Sequence, residues 1–145
     1  MSKLASTFTI SGVPRLTELN SDPLPFKFLS KHNELCNLAT FVDVDYRQLM
    51  QKKCETVKSA PELSSVINLD AGSTSTTETV LIDCPNYKAA ACDLEDIKAL
   101  QVLLEDTLHL RGSPVLFLAE VSITYMDAVA AEKLIELTST FDDGM

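Results

Sequence analysis

Four acids in this sequence stand where an α/β protein does chemistry. Thr40-Phe41-Val42-Asp43-Val44-Asp45-Tyr46 is a short apolar run that ends in two acids and an aromatic, with a charged helical segment after it. In an open α/β sheet, ligands bind just beyond the carboxyl ends of the strands. A carboxylate there accepts hydrogen bonds from both hydroxyls of a ribose. Asp93 follows a second strand-like run and Glu120 a third. Three carboxylates on one edge of one sheet line one crevice. Each suits a different part of a nucleoside-containing cofactor: the ribose diol for Asp45 (or Asp43), an exocyclic amine, and a cationic amino group. Asp93-Leu94 offers a side-chain acceptor beside a backbone amide, the pair that reads one edge of adenine. The same acids have a plainer use. Those after the first two strands could cap the helix that follows, whereas no helix starts directly after Glu120. No residue stands out as catalytic.

The elements that must position these acids follow from periodicity. Residues 5–10 are β-prone, and Ser11-Gly12-Val13-Pro14 is turn chemistry. Asp22-Pro23 suits a helix start that runs through Phe26, Phe28 and Leu29 to about Leu35. A central strand occupies about 39–43. Residues 46–59 form a helix with Leu49, Met50, Cys54 and Val57 on its apolar face and basic residues opposite. Pro61 restarts the chain for a further turn or two to Asn68, and 71–77 is a polar loop. Residues 79–83 and 87–92 read as strands of a short hairpin. Asp93-Leu94-Glu95-Asp96 opens a helix with acids in its first turn, with Leu94, Ile97, Leu100, Leu104 and Leu108 facing the core. Arg111-Gly112-Ser113-Pro114 stops it. The run Val115-Leu116-Phe117-Leu118-Ala119 carries the mark of a parallel strand buried on both faces. Asp127 caps a last helix with Ala130, Leu134, Leu137 and Phe141 inward. Strand and helix alternate around mostly parallel strands, which is a Rossmann-like α/β pattern.

Bulk properties narrow the function. A chain of 145 residues, 46% hydrophobic and 23% charged, holds one domain with a core. No apolar run approaches a membrane span, and residues 1–10 lack a basic start followed by a long apolar stretch. Cys36, Cys54, Cys84 and Cys92 are widely spaced and form no C-x-x-C pair. They read as reduced thiols of a cytoplasmic protein. His32 and His109 lie away from paired cysteines, which argues against zinc. The net charge of −9 argues against a broad nucleic-acid surface. Arg47, Lys52, Lys53 and Lys58 cluster on one helix and read as its solvated face.

Four strings in order carry a resemblance. Asp22-Pro23-Leu24-Pro25-Phe26, Phe41-Val42-Asp43-Val44-Asp45-Tyr46, Ala91-Cys92-Asp93-Leu94, and Leu118-Ala119-Glu120 with Tyr125-Met126 resemble the leucine carboxyl methyltransferase family. The resemblance runs from about Asn20 to the end and implies a Rossmann-like, S-adenosylmethionine-dependent carboxyl O-methyltransferase. It makes Asp45 the ribose-diol ligand, sets Asp93 and Leu94 at the adenine, and makes Glu120 a cofactor-pocket acid. The first two strings look most like the tRNA wybutosine-synthesis branch, whose methyl acceptor is the carboxylate of a modified guanosine. The sister branch methylates the C-terminal leucine of a protein phosphatase catalytic subunit. No metal and no membrane are implied.

The sequence departs from the family in front. The family's Leu-Gly-x-Gly-x-Asp loop corresponds to Thr17-Glu18-Leu19-Asn20-Ser21-Asp22, so Glu18 and Asn20 stand where glycines belong. A Cβ at either point crowds the methionine part of the cofactor. The expected organisation is therefore an atypical segment over 1–20 and a partial methyltransferase domain over 21–145. The upstream basic helical region, the later strands and a downstream repeat domain are expected to lie outside this chain. The alternatives are a non-catalytic, truncated methyltransferase-like remnant and an unrelated nucleotide-binding domain. Direct tRNA binding by a piece this acidic is expected to be weak.

Overall fold

The computed structural model describes residues 15–18, 24–36, 39–72, 76–119 and 122–141. Strands β1 (Arg15–Glu18), β2 (Thr40–Asp45), β3 (Val80–Asp83), β4 (Tyr87–Ala91) and β5 (Val115–Leu118) form one sheet in the order β3-β4-β2-β1-β5. β1, β2, β4 and β5 run parallel, and β3 pairs with β4 as the antiparallel hairpin expected. The fold is the Rossmann-like α/β arrangement that the pattern implied.

Side chains alternate across β2 and β4, so each strand feeds two cores. Phe41, Tyr87, Ala89 and Ala91 meet α1 (Leu24–Lys31) through Phe26 and Leu29, and α3 (Arg47–Ser59) through Met50, Cys54 and Val57. On the other face Val42, Val44 and Ala90 join Leu100 of α6 (Ile97–Val102) and Leu134 and Leu137 of α7 (Ala128–Ser139). α2 (Asn33–Cys36), α4 (Pro61–Val66) and α5 (Leu69–Gly72) are short turns of helix between these elements. Met50, Cys54 and Val57 recur at helical spacing, which is why α3 lies flat on the sheet. Asp127 caps α7 by accepting from the Val129 amide at 3.0 Å.

Several elements depart from expectation. β1 comes from within residues 1–20, the segment set apart as atypical, and lies between β2 and β5. The β-prone run 5–10 lies outside the described residues. The first helix is broken at His32 into α1 and α2. β2 extends to Asp45, so both of its acids belong to the strand. α6 starts at Ile97 because Asp96, accepting from Ala99 N at 3.1 Å, is its cap. It continues as a π-helical turn over Leu103–Thr107, with Leu108 N bonded to Leu103 O at 2.9 Å. His109 then takes a left-handed φ of 51°, so the helix stops before the expected breaker at 111–114. β5 is not buried on both faces. Among the described residues it is the outer strand beside β1, and Leu116 is 45% exposed. Four apolar residues in a row look alike at the edge and at the centre of a sheet.

Candidate functional site

Parallel register puts the carboxyl ends of β1, β2, β4 and β5 on one edge. Glu18 pairs with Asp43 and with Leu118, and Asp45 pairs with Ala91. The Cys92 amide donates to the Asp45 carbonyl at 2.8 Å, tying the ends of β2 and β4 together. Asp45 and Asp93 therefore stand at adjacent strand ends, two residues past the last paired position for Asp93. Glu120 follows β5 but lies outside the described residues, as does Asn20.

The Asp45 side chain is 1% exposed. Its Oδ1 accepts from the Tyr46 amide at 2.8 Å. α3 begins with Tyr46 as its N-cap residue and has no side-chain cap bond, so the capping use of the β2 acids is not what is found. Asp93 does not cap α6 either. It is exposed, and its Oδ1 accepts from the Glu95 amide at 2.9 Å in an Asx turn. Leu94 is buried among Val44, Leu100 and Leu104, so its side chain belongs to the core. Only its backbone is left to face a ligand.

Asp43, the alternative to Asp45, has a different employment. It is fully buried, and its Oδ2 accepts from Lys53 Nζ at 2.5 Å and from the Tyr87 hydroxyl at 2.6 Å. Lys53 keeps only 9% of its side chain exposed. The basic cluster on α3 is thus not one solvated face. Lys53 points into the core, and Arg47 donates to the Glu78 carbonyl at 2.9 Å, while Lys52 and Lys58 are exposed. The sequence held the signal. Met50, Lys53, Cys54 and Val57 share one stripe at helical spacing, and a lysine on a buried stripe needs a buried acid.

A cavity of about 330 Å³ opens between α1, α3 and α4, lined by Phe26, Leu49, Lys52, Lys53, Thr56, Val57 and Leu63. It includes none of Asp45, Asp93 and Leu94. Burial pushes the Cys54 thiol up to about 11. Burial, with Asp96 and Asp93 nearby, pushes Cys92 up to about 12. Neither is a nucleophile at neutral pH. Among the described residues no group of three or more His, Cys, Asp or Glu could hold a metal ion. No helix among them is long and apolar enough to cross a membrane.

Comparison with known proteins adds identity to this geometry. The family model described as leucine carboxyl methyltransferase matches residues 26–139. The chain is 38% identical over 120 residues to tRNA wybutosine-synthesizing protein 4 of Gibberella zeae, covering 82% of this chain and 12% of that protein. It is 40% identical over 119 residues to the protein of that name from Eremothecium gossypii, covering 79% and 17%. For the Saccharomyces cerevisiae protein the figures are 34% over 129 residues, 84% and 19%. The chain thus spans less than a fifth of the length of these relatives.

Proposed function

The chain belongs to the leucine carboxyl methyltransferase family, and from that premise we propose that it forms part of an S-adenosylmethionine-dependent carboxyl O-methyltransferase of tRNA wybutosine synthesis. The names of the relatives above favour this branch over methylation of a protein phosphatase. The observation that carries the reading is the pair of carboxylates at adjacent parallel strand ends, linked by the bond from Cys92 N to Asp45 O.

By their chemistry these residues would serve an adenosine group. Asp45 would accept from the ribose hydroxyls; a carboxylate is acceptor-only and can take both. Asp93, an exposed residue, keeps Oδ1 on the Glu95 amide, and its second oxygen would suit an adenine amine. The Leu94 amide would complete the adenine edge, and Glu120 would face the cationic amino group. The cofactor, when bound, supplies an electrophilic methyl on a sulfonium. An acceptor carboxylate is already ionised at neutral pH, so this chain need offer no general base. Its work is to hold and orient, and orientation alone can supply a large part of a rate enhancement.

A second reading, a methyltransferase-like remnant that has lost the pocket, is favoured by one observation. Glu18 ends β1 beside Asp43 and Leu118 at this same edge, where the family pattern calls for glycine. Thermal unfolding with S-adenosylhomocysteine separates the two. Ligand at about 100 times Kd adds about 2.7 kcal/mol of stability. Upward shifts in the wild type that vanish in Asp93→Ala support the methyltransferase reading. No shift at millimolar ligand supports the remnant.

A further inference from the structure

We infer that Lys53, Asp43 and Tyr87 form a clasp that fixes the strand-to-helix corner carrying Asp45. The inference rests on the reading of Asp45 as the ribose ligand. Asp43 and Asp45 lie on the same face of β2, two residues apart. Between Asp43 and Lys53 the chain leaves β2, turns at Tyr46 and enters α3. The ion pair from Lys53 Nζ to Asp43 Oδ2 at 2.5 Å closes that corner into a loop. Tyr87 starts β4, the strand whose far end holds Cys92 against Asp45. Its hydroxyl donates to the same carboxylate oxygen at 2.6 Å. One oxygen atom therefore ties α3, β2 and β4 together. Phe26 of α1 packs over the group, 4.9 Å from the Tyr87 ring and 5.9 Å from Lys53 Nζ.

Replacing a buried ion pair by well-packed apolar residues of similar volume is often neutral or stabilising. What a buried ion pair adds over them is a single geometry, and its best-attested use is to fix register. Here the register fixed is that of α3 against β2. Two amides report it, because both bond to Asp45: Tyr46 N to Oδ1 and Cys92 N to the carbonyl. Lys53, Asp43 and Tyr87 are positioning residues, which act through Asp45 and touch no ligand themselves.

The test is amide hydrogen exchange on the full chain, with Tyr87→Phe and the double variant Asp43→Asn/Lys53→Met. Exchange at Tyr46 and Cys92 is expected to rise about tenfold in the double variant and about threefold in Tyr87→Phe, with Leu100 and Ala131 on the opposite face unchanged. The preference for adenosine over 2′-deoxyadenosine should shrink toward one in parallel, while adenine binding holds. Tyr87→Phe removes only a hydroxyl and guards against a double variant that fails to fold. Wild-type protection at Tyr46 and Cys92 in folded Tyr87→Phe protein would overturn the clasp. If the wild-type chain binds neither nucleoside, the methyltransferase reading fails while the exchange result still decides the clasp.

Discussion

Replacing Lys53 by methionine should be far more damaging than its place in a basic cluster suggests. The substitution keeps the stem length and removes the charge. It takes the Lys53 cation away from Asp43, which is 0% exposed and keeps the Tyr87 hydroxyl at 2.6 Å. Removing one partner of a buried ion pair costs about 3–5 kcal/mol, because the remaining charge is desolvated and uncompensated. A domain of this size has a total stability of about 5–15 kcal/mol. At roughly 2–4 °C per kcal/mol the midpoint of thermal unfolding should fall by about 10 °C. Urea unfolding followed by far-ultraviolet circular dichroism measures the loss. Lys52→Met, one residue away and exposed, serves as the control and should stay within about 0.5 kcal/mol of wild type. Asp43→Asn combined with Lys53→Met should recover much of the loss. A Lys53→Met protein within about 1 kcal/mol of wild type would refute the reasoning, since removing the cation bonded to a buried carboxylate is expected to cost more than that.

Two further outcomes follow from other parts of the molecule. Cys54 and Cys92, pushed up to about 11 and about 12, should react with iodoacetamide at pH 8 much more slowly than glutathione does. Because both thiols hold their proton longer folded than unfolded, stability is full below the ordinary value of 9.0. It should then fall as pH rises through the window up to about 12; unfolding free energy at pH 8 and pH 10.5 checks the sign. At the β5 edge, where Leu116 is 45% exposed, the chain should dimerise at high concentration. Leu116→Lys should keep it monomeric by size exclusion. A wild-type monomer at every concentration would contradict this.

What the sequence made legible was set by how much each local signal depends on its surroundings. α3 and α7 carry their own apolar stripes, and α7 has its cap in Asp127, so tertiary context was not needed to place them. The β3–β4 hairpin was marked by Cys84-Pro85-Asn86 between two short runs. β1 is a different case. Arg15-Leu16-Thr17-Glu18 has one apolar residue in four, and its strand state comes from two parallel neighbours that no local pattern reveals. The β5 run gave its strand state but not the burial of its faces, since an apolar run does not say whether both faces are covered. Asp93 and Asp96 compete for the same capping role, and only the backbone path shows that Asp96 takes it. For the site, the edge shared by Asp45 and Asp93 was legible from strand order alone. The separate fates of Asp43 and Asp45 were not, because they depend on Lys53 turning inward from a helix rich in surface lysines.

Calorimetric titration of the wild-type chain and Asp45→Ala with S-adenosylhomocysteine bears most directly on the adenosine site. Hydrogen bonds to a charged group contribute about 1.5–3 kcal/mol, so one-to-one binding by the wild type should weaken about 10- to 100-fold in the variant. Equal affinities, or no heat from the wild type, would contradict it.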